Sequence, residues 1–249
     1  MCTNSGRIEK ETEMLKIGHR GAPGYPKYAE NTMGSFQRAI WKGANALEFD
    51  VRRTKDGKLV VIHDDSVNRT TNGSGKVCSL TYEQITKLDA GFGERIPLLE
   101  EVLRNFGPKV FLNIEIKEDG IEKEILEMIK FYGLEDKVII SAFDSNDNDQ
   151  NSSSSWNQLD VFSGEALIAL LAGRRKIFRI GWAAYLEEAI KRNAFAIHPQ
   201  YTTVYSEAIK VAHDRGLLVN VWTVNTLKQI RELREIGVDG IFSDFPELL

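Results

Sequence analysis

Eight short apolar runs recur along the chain, most of them followed by a stretch with helical spacing, and few architectures can use that alternation. The runs lie near 15–19, 46–51, 110–116, 137–143, 166–171, 194–198, 217–224 and 239–243. Helical stretches lie near 33–43, 97–106, 120–132, 183–193, 204–215 and 226–236. The last of these opens at Asn225 or Thr226, both good N-caps, and stops at Gly237. Strand–helix–strand alternation builds parallel units and places the chain in the α/β class. Eight such units in 249 residues predict a closed (β/α)8 barrel rather than an open sheet. A dinucleotide-binding sheet would carry GxGxxG after its first strand, and HRGAPG at 19–24 lacks that spacing.

The rhythm breaks in two places. After the second strand, VRRTKDGKLVVIHDD holds Asp56-Gly57 between two alternating runs, the pattern of a β-hairpin. The Thr-, Asn- and Gly-rich stretch 66–96 then leaves the barrel as an excursion with one short helix near 81–88, so an inserted subdomain is expected over about 53–96. The second break is 144–158, DSNDNDQNSSSSWNQ, which is too polar and too low in complexity for the fourth barrel helix. Only FPELL follows the last strand, so the eighth helix is nearly absent.

Residues 1–13 read as a flexible tail before one domain spanning 14–249. The tail has no apolar core of a signal peptide and no run is long enough to span a membrane, which leads us to expect a cytoplasmic protein. Cys2 and Cys78 have no metal-type spacing and read as free thiols. The formal net charge of −4 argues against nucleic acid as the main partner but leaves room for a local phosphate pocket.

Polar groups at the ends of the apolar runs carry the chemistry. Glu48 and Asp50 are two apart in a strand, so both point to one face, the lumen or its rim, while Leu47, Phe49 and Val51 face away. Two carboxylates there repel each other and lose hydration, costs that a hard divalent cation offsets. The competing reading is a pair of salt bridges to Arg52, Arg53 or Lys16. Glu115 and Lys117 repeat the device on NIEIKE, offering a third carboxylate and a point charge for a phosphoryl oxygen. Three carboxylates without cysteine favour Ca²⁺ or Mg²⁺ over Zn²⁺. His19 and His63 each close an apolar run, and an imidazole pair can serve as general base and acid. Arg20 offers a planar fork to phosphate oxygens. Trp222 either walls the substrate site or belongs to the core. His198 reads as structural or as lining the mouth, and His213 as an exposed or capping residue.

IGHRG at 17–21, ENT at 30–32, EFDV at 48–51, VIHD at 61–64, NIEIK at 113–117, VWTVN at 221–225 and GIFSDFP at 240–246, in this order and spacing, resemble the glycerophosphodiester phosphodiesterase family. The resemblance runs from about Leu15 to Leu249. It implies a TIM barrel with a small insertion, and metal-dependent hydrolysis of glycerophosphodiesters to sn-glycerol 3-phosphate and an alcohol. It further implies a divalent metal on Glu48, Asp50 and Glu115, His19 and His63 as the acid–base pair, and Arg20 and Lys117 on the phosphate. Glu30 and Asn31 match the family's Glu-Asn, which supports the first loop. Ala29 stands where a proline usually precedes that pair, and 144–165 departs from the usual fourth helix. Two other readings keep the barrel. One uses the same site on lysophospholipid or sphingolipid headgroups and expects an apolar groove at the mouth. The other is a catalytically silent binding module, which would usually lack one or more of seven polar groups that are all present here.

Overall fold

The computed structural model describes residues 14–24, 27–144 and 155–249. Nine strands form one sheet: β1 Leu15–His19, β2 Ala46–Arg53, β3 Leu59–Val61, β4 Phe111–Ile116, β5 Val138–Phe143, β6 Leu167–Ala172, β7 Ala196–Pro199, β8 Leu218–Val221 and β9 Gly240–Ser243. All except β3 run parallel, and β1 pairs with both β2 and β9, which closes an eight-stranded barrel. The helices α1 Met33–Trp41, α2 Tyr82–Ile85, α3 Leu99–Phe106, α4 Glu122–Phe131, α5 Arg174–Lys191, α6 Ser206–His213 and α7 Leu227–Glu235 follow in chain order.

Strand alternation divides the side chains between two compartments. On β2, Leu47, Phe49 and Val51 face outward into the main core, where Phe49 meets Phe36 of α1 with ring centroids 5.5 Å apart. Glu48, Asp50 and Arg52 face the other way. At the lumen floor Ile139, Ala169 and Ala196 pack with Leu15, Leu167 and Leu218. A polar layer follows: Asn113 donates to Ser141 Oγ at 2.9 Å, and Asn220 Nδ2 to His198 Nε2 at 3.1 Å. The mouth lies above it, at the C-terminal strand ends.

Helix boundaries follow local chemistry. Thr32 caps α1 and Thr226 caps α7, each accepting from a backbone N–H three residues on, and Gly237 takes φ +86° just past α7. The helix expected over 183–193 begins at Arg174, with Gly181 at φ 78° and ψ 159° breaking it into two pieces. Among the described residues, the connection from β5 to β6 holds a 3-10 helix, Trp156–Phe162, whose Trp156 stacks on Tyr185 and donates to the Leu171 carbonyl. The tail 1–13, with Cys2, and most of the polar break at 144–158 lie outside the described residues. Cys78 is exposed and not in a disulfide.

The excursion has a core of its own. Between β2 and α3, antiparallel β3 pairs with the end of β2. Val60, Ile62, Val67, Val77, Ile85, Ala90 and Ile96 then bury one another away from the main core.

Candidate active site

Strand register assembles the site. Parallel neighbours lie about 4.8 Å apart, so residues in register bring same-face side chains into contact. Asp50 of β2 registers with Glu115 of β4, and Glu48 of β2 with His19 of β1. One oxygen from each of Glu48, Asp50 and Glu115 therefore lies within 4.8 Å of the other two. All three residues are buried. Burial, reinforced by Asp50 and Glu115, raises Glu48 well above the usual carboxylate range. Asp50 goes the other way: burial alone would raise it, but Lys117, Arg20 and His63 outweigh that and hold it low.

Two ligands of one ion with oxygen bonds of about 2.3–2.6 Å can lie no farther apart than about 5 Å, so these oxygens are close enough to share one ion. Asp50 Oδ1, buried, faces Lys117 Nζ at 3.3 Å and accepts no hydrogen bond. Three crowded carboxylates with oxygen donors alone fit a hard divalent cation. Of the competing partners, Arg52 pairs with Glu118 and Arg53 with Glu124. The cations at the cluster are instead Lys117, which also contacts Glu115, and Arg20, whose Nε is 3.5 Å from Asp50.

The first loop is folded tightly around this cluster. Arg20 and Asn31 adopt φ of 53° and 56°, a region that residues with a Cβ seldom enter. In that conformation the Arg20 amide donates to Glu48 Oε2 at 2.8 Å, and Asn31 Nδ2 donates to Asp50 Oδ2 at 2.9 Å. Gly21 has φ +89°, and a Cβ there would sit 2.4 Å from Ser35 Oγ, so the turn requires glycine. Arg20 Nη1 donates to Glu30 Oε1 at 2.9 Å.

Each imidazole has a carboxylate behind it. His19 Nδ1 donates to Asp244 Oδ1 at 2.7 Å, leaving Nε2 on the cleft side, 4.0 Å from Glu48 Oε2. Asp244 is fixed in turn by Asn225 Nδ2 at 2.7 Å. His63 Nδ1 donates to Asp64 Oδ1, also at 2.7 Å. Burial, aided by Lys117 and Arg20, lowers His63 from the ordinary imidazole value. Hydrogen bonds from Arg69 lead in holding Asp64 down, at about 2.

A cleft of about 250 Å³ opens onto these groups. Its lining combines polar groups, His19, Arg20, Glu48, His63, Asn113, Glu115 and Lys117, with the apolar Phe143, Leu171, Trp222 and Phe242. Trp222 meets Phe143 edge-on at 5.4 Å and donates to the His198 carbonyl, so it walls the cleft while anchored below it. His198 does not reach the mouth: it is fully buried in the lumen, where desolvation lowers it to about 3. His213 pairs with Asp239 on the exterior. Sequence reasoning assigned no role to Asp64, Arg69 or Asp244, and read Asn225 only as a candidate helix cap. Asp64 and Asp244 stood in plain view within VIHD and GIFSDFP, but only the folded chain shows which nitrogen they face.

A model of the "Glycerophosphoryl diester phosphodiesterase family" matches residues 19–248. The chain is 38% identical over 248 residues to a glycerophosphodiester phosphodiesterase of Caldanaerobacter subterraneus subsp. tengcongensis, covering 94% of this chain and 96% of that one. A glycerophosphodiester phosphodiesterase structure from Thermotoga maritima superposes with TM-score 0.76 at 28% identity, over 94% of this chain and 96% of that one. A phosphodiesterase structure from Oleispira antarctica, in complex with the product sn-glycerol-3-phosphate, superposes with TM-score 0.76 at 25% identity, over 93% of each chain.

Proposed function

The chain belongs to the glycerophosphoryl diester phosphodiesterase family, and we propose that it hydrolyses glycerophosphodiesters to sn-glycerol 3-phosphate and an alcohol by two-histidine acid–base catalysis. The observation that carries this reading is one cleft lined by Glu48 and Glu115, two imidazoles with carboxylate partners, and two cations, with Asp50 buried against the two lining carboxylates. The product bound to the Oleispira antarctica relative agrees with it.

Glu48, Asp50 and Glu115 would hold Ca²⁺ or Mg²⁺, which supplies positive charge beside a phosphate and lowers the pKa of a nearby hydroxyl or water. The remaining work falls to the protein's own groups. Arg20 and Lys117 face the phosphoryl oxygens and stabilise the charge that builds there in the transition state. His19, with Nδ1–H fixed on Asp244, presents the lone pair of Nε2 and takes the proton from the attacking water or neighbouring glycerol hydroxyl. As the new P–O bond forms, the P–O bond to the alcohol breaks, and His63 as imidazolium protonates the departing alkoxide. A hydroxyl nucleophile gives a cyclic phosphate first, which water then opens.

Turnover of glycerophosphocholine with added Mg²⁺, Ca²⁺ or Mn²⁺ tests the reading. His19→Ala and His63→Ala should each abolish turnover while circular dichroism stays unchanged, and EDTA should silence the parent. Near-parent rates in both variants would reject the acid–base pair, and full activity in excess EDTA would reject the cation. The apolar lining residues Phe143, Leu171, Trp222 and Phe242 support a second reading, in which lysophospholipids use the same site. Faster turnover of lysophosphatidylcholine than of glycerophosphocholine would favour it.

A further inference from the structure

Arg69, in the insertion, is the point where two arms of the cleft meet. Its Nε donates to Asp64 Oδ2 at 2.7 Å and its Nη2 to Asp64 Oδ1 at 3.0 Å. On the other side Nη1 donates to Glu30 Oε2 and Nη2 to Glu30 Oε1, both at 2.8 Å. One planar guanidinium thus grips two carboxylates in bidentate fashion, a geometry that an ammonium cannot supply. Neither carboxylate is an endpoint. Asp64 Oδ1 also accepts from His63 Nδ1, and Glu30 Oε1 also accepts from Arg20 Nη1.

We propose that Arg69 is a positioning residue for the reaction, orienting His63 through Asp64 and Arg20 through Glu30, so that the insertion braces the cleft. The proposal rests on the preceding reading of His63 and Arg20. An ordinary exposed ion pair contributes little, and the Arg69 side chain is 47% exposed. What sets this one apart is its network and its footing. Val67, two residues earlier, is fully buried in the satellite core. The Thr71 amide and hydroxyl both donate to the Val67 carbonyl, at 3.1 and 2.7 Å, closing the turn that carries Arg69. Without the guanidinium, the side-chain contacts described leave Asp64 only His63 and Glu30 only Arg20. Both side chains are then free to rotate, and the imidazole tautomer and the phosphate-facing fork lose their fixed aim.

The test compares Arg69→Met and Arg69→Lys with the parent. Loss of an orienting partner should lower kcat/KM on glycerophosphocholine by about 10–100-fold in Arg69→Met with little change in Tm. Arg69→Lys, which keeps the charge but not the fork, should stay about tenfold below the parent. Methylguanidinium in the buffer should restore part of the Arg69→Met activity, because the site is open to solvent. Long-range ¹H–¹⁵N spectra without substrate, at a pH high enough to keep the His63 ring neutral, should show a single Nδ1–H tautomer for His63 in the parent and a mixture in Arg69→Met. An unchanged tautomer overturns the brace whatever the activity, as do rates within about threefold of the parent in both variants. If Arg69→Met melts below the assay temperature, Arg69→Lys supplies the activity and tautomer readouts and decides alone. A parent without activity on any glycerophosphodiester would instead sink the reaction assignment and leave the tautomer result standing.

Discussion

Asp244 decides which nitrogen of His19 faces the cleft. Its carboxylate accepts from Nδ1 and so keeps the proton off Nε2, the atom that needs a free lone pair in the proposed role of base. Asp244→Asn keeps the shape but can offer an amide N–H to Nδ1, which favours the opposite tautomer. Replacing the carboxylate of a histidine–carboxylate pair in this way can cost up to about 10⁴-fold, so we expect kcat to fall by about 10²–10⁴-fold with KM little changed. Steady-state kinetics on glycerophosphocholine check this, and a variant that altered KM alone would place Asp244 on the substrate instead. The same residue marks how far the site was legible from sequence. The groups facing the cleft stood out because polar residues interrupt apolar runs. Their supporting partners did not, since Asp244 is 225 positions from His19 and nothing in the local pattern links them.

Elements were legible where their periodicity is strong and illegible where one residue overrides it. All eight barrel runs became strands within a few residues, because each needs an apolar outer face against the helices. The first half of α5 went unread because Gly181 looks like a terminator, whereas the backbone turns there and the helix resumes. Beyond the polar break, composition could not show that Trp156, Leu159 and Phe162 bury themselves from a 3-10 helix. The insertion gives the prediction at this scale. Ile85→Ala empties a fully buried site in the satellite core and should destabilise that unit by about 2–5 kcal/mol. Hydrogen exchange over 64–96 should then accelerate while the barrel strands keep their protection, and activity should fall as the footing of Arg69 loosens. Exchange that speeds up uniformly would show that the insertion and barrel unfold as one unit.

At the scale of the whole molecule, the barrel carries a polar layer between an apolar floor and the cleft, and His198 is its most costly member. Its ring is fully buried, meets Phe242 edge-on at 5.0 Å and leaves Nδ1 without a hydrogen-bond partner. Burial lowers its folded pKa to about 3, whereas an unfolded histidine titrates near 6.5. Between those values the unfolded chain binds a proton that the native barrel refuses. Stability contributed at neutral pH is therefore lost as pH falls from about 6.5 toward 3, and below 3 the difference no longer grows. The slope from this one group approaches about 1.4 kcal/mol per pH unit within that window. His198→Gln keeps an acceptor for Asn220 Nδ2 but cannot titrate, so it removes the slope without removing that contact. Urea unfolding at several pH values between 7 and 4.5 should give a variant whose stability falls less steeply than the parent's. Parallel curves would mean that the parent's imidazole is already protonated inside the lumen, or that water reaches it.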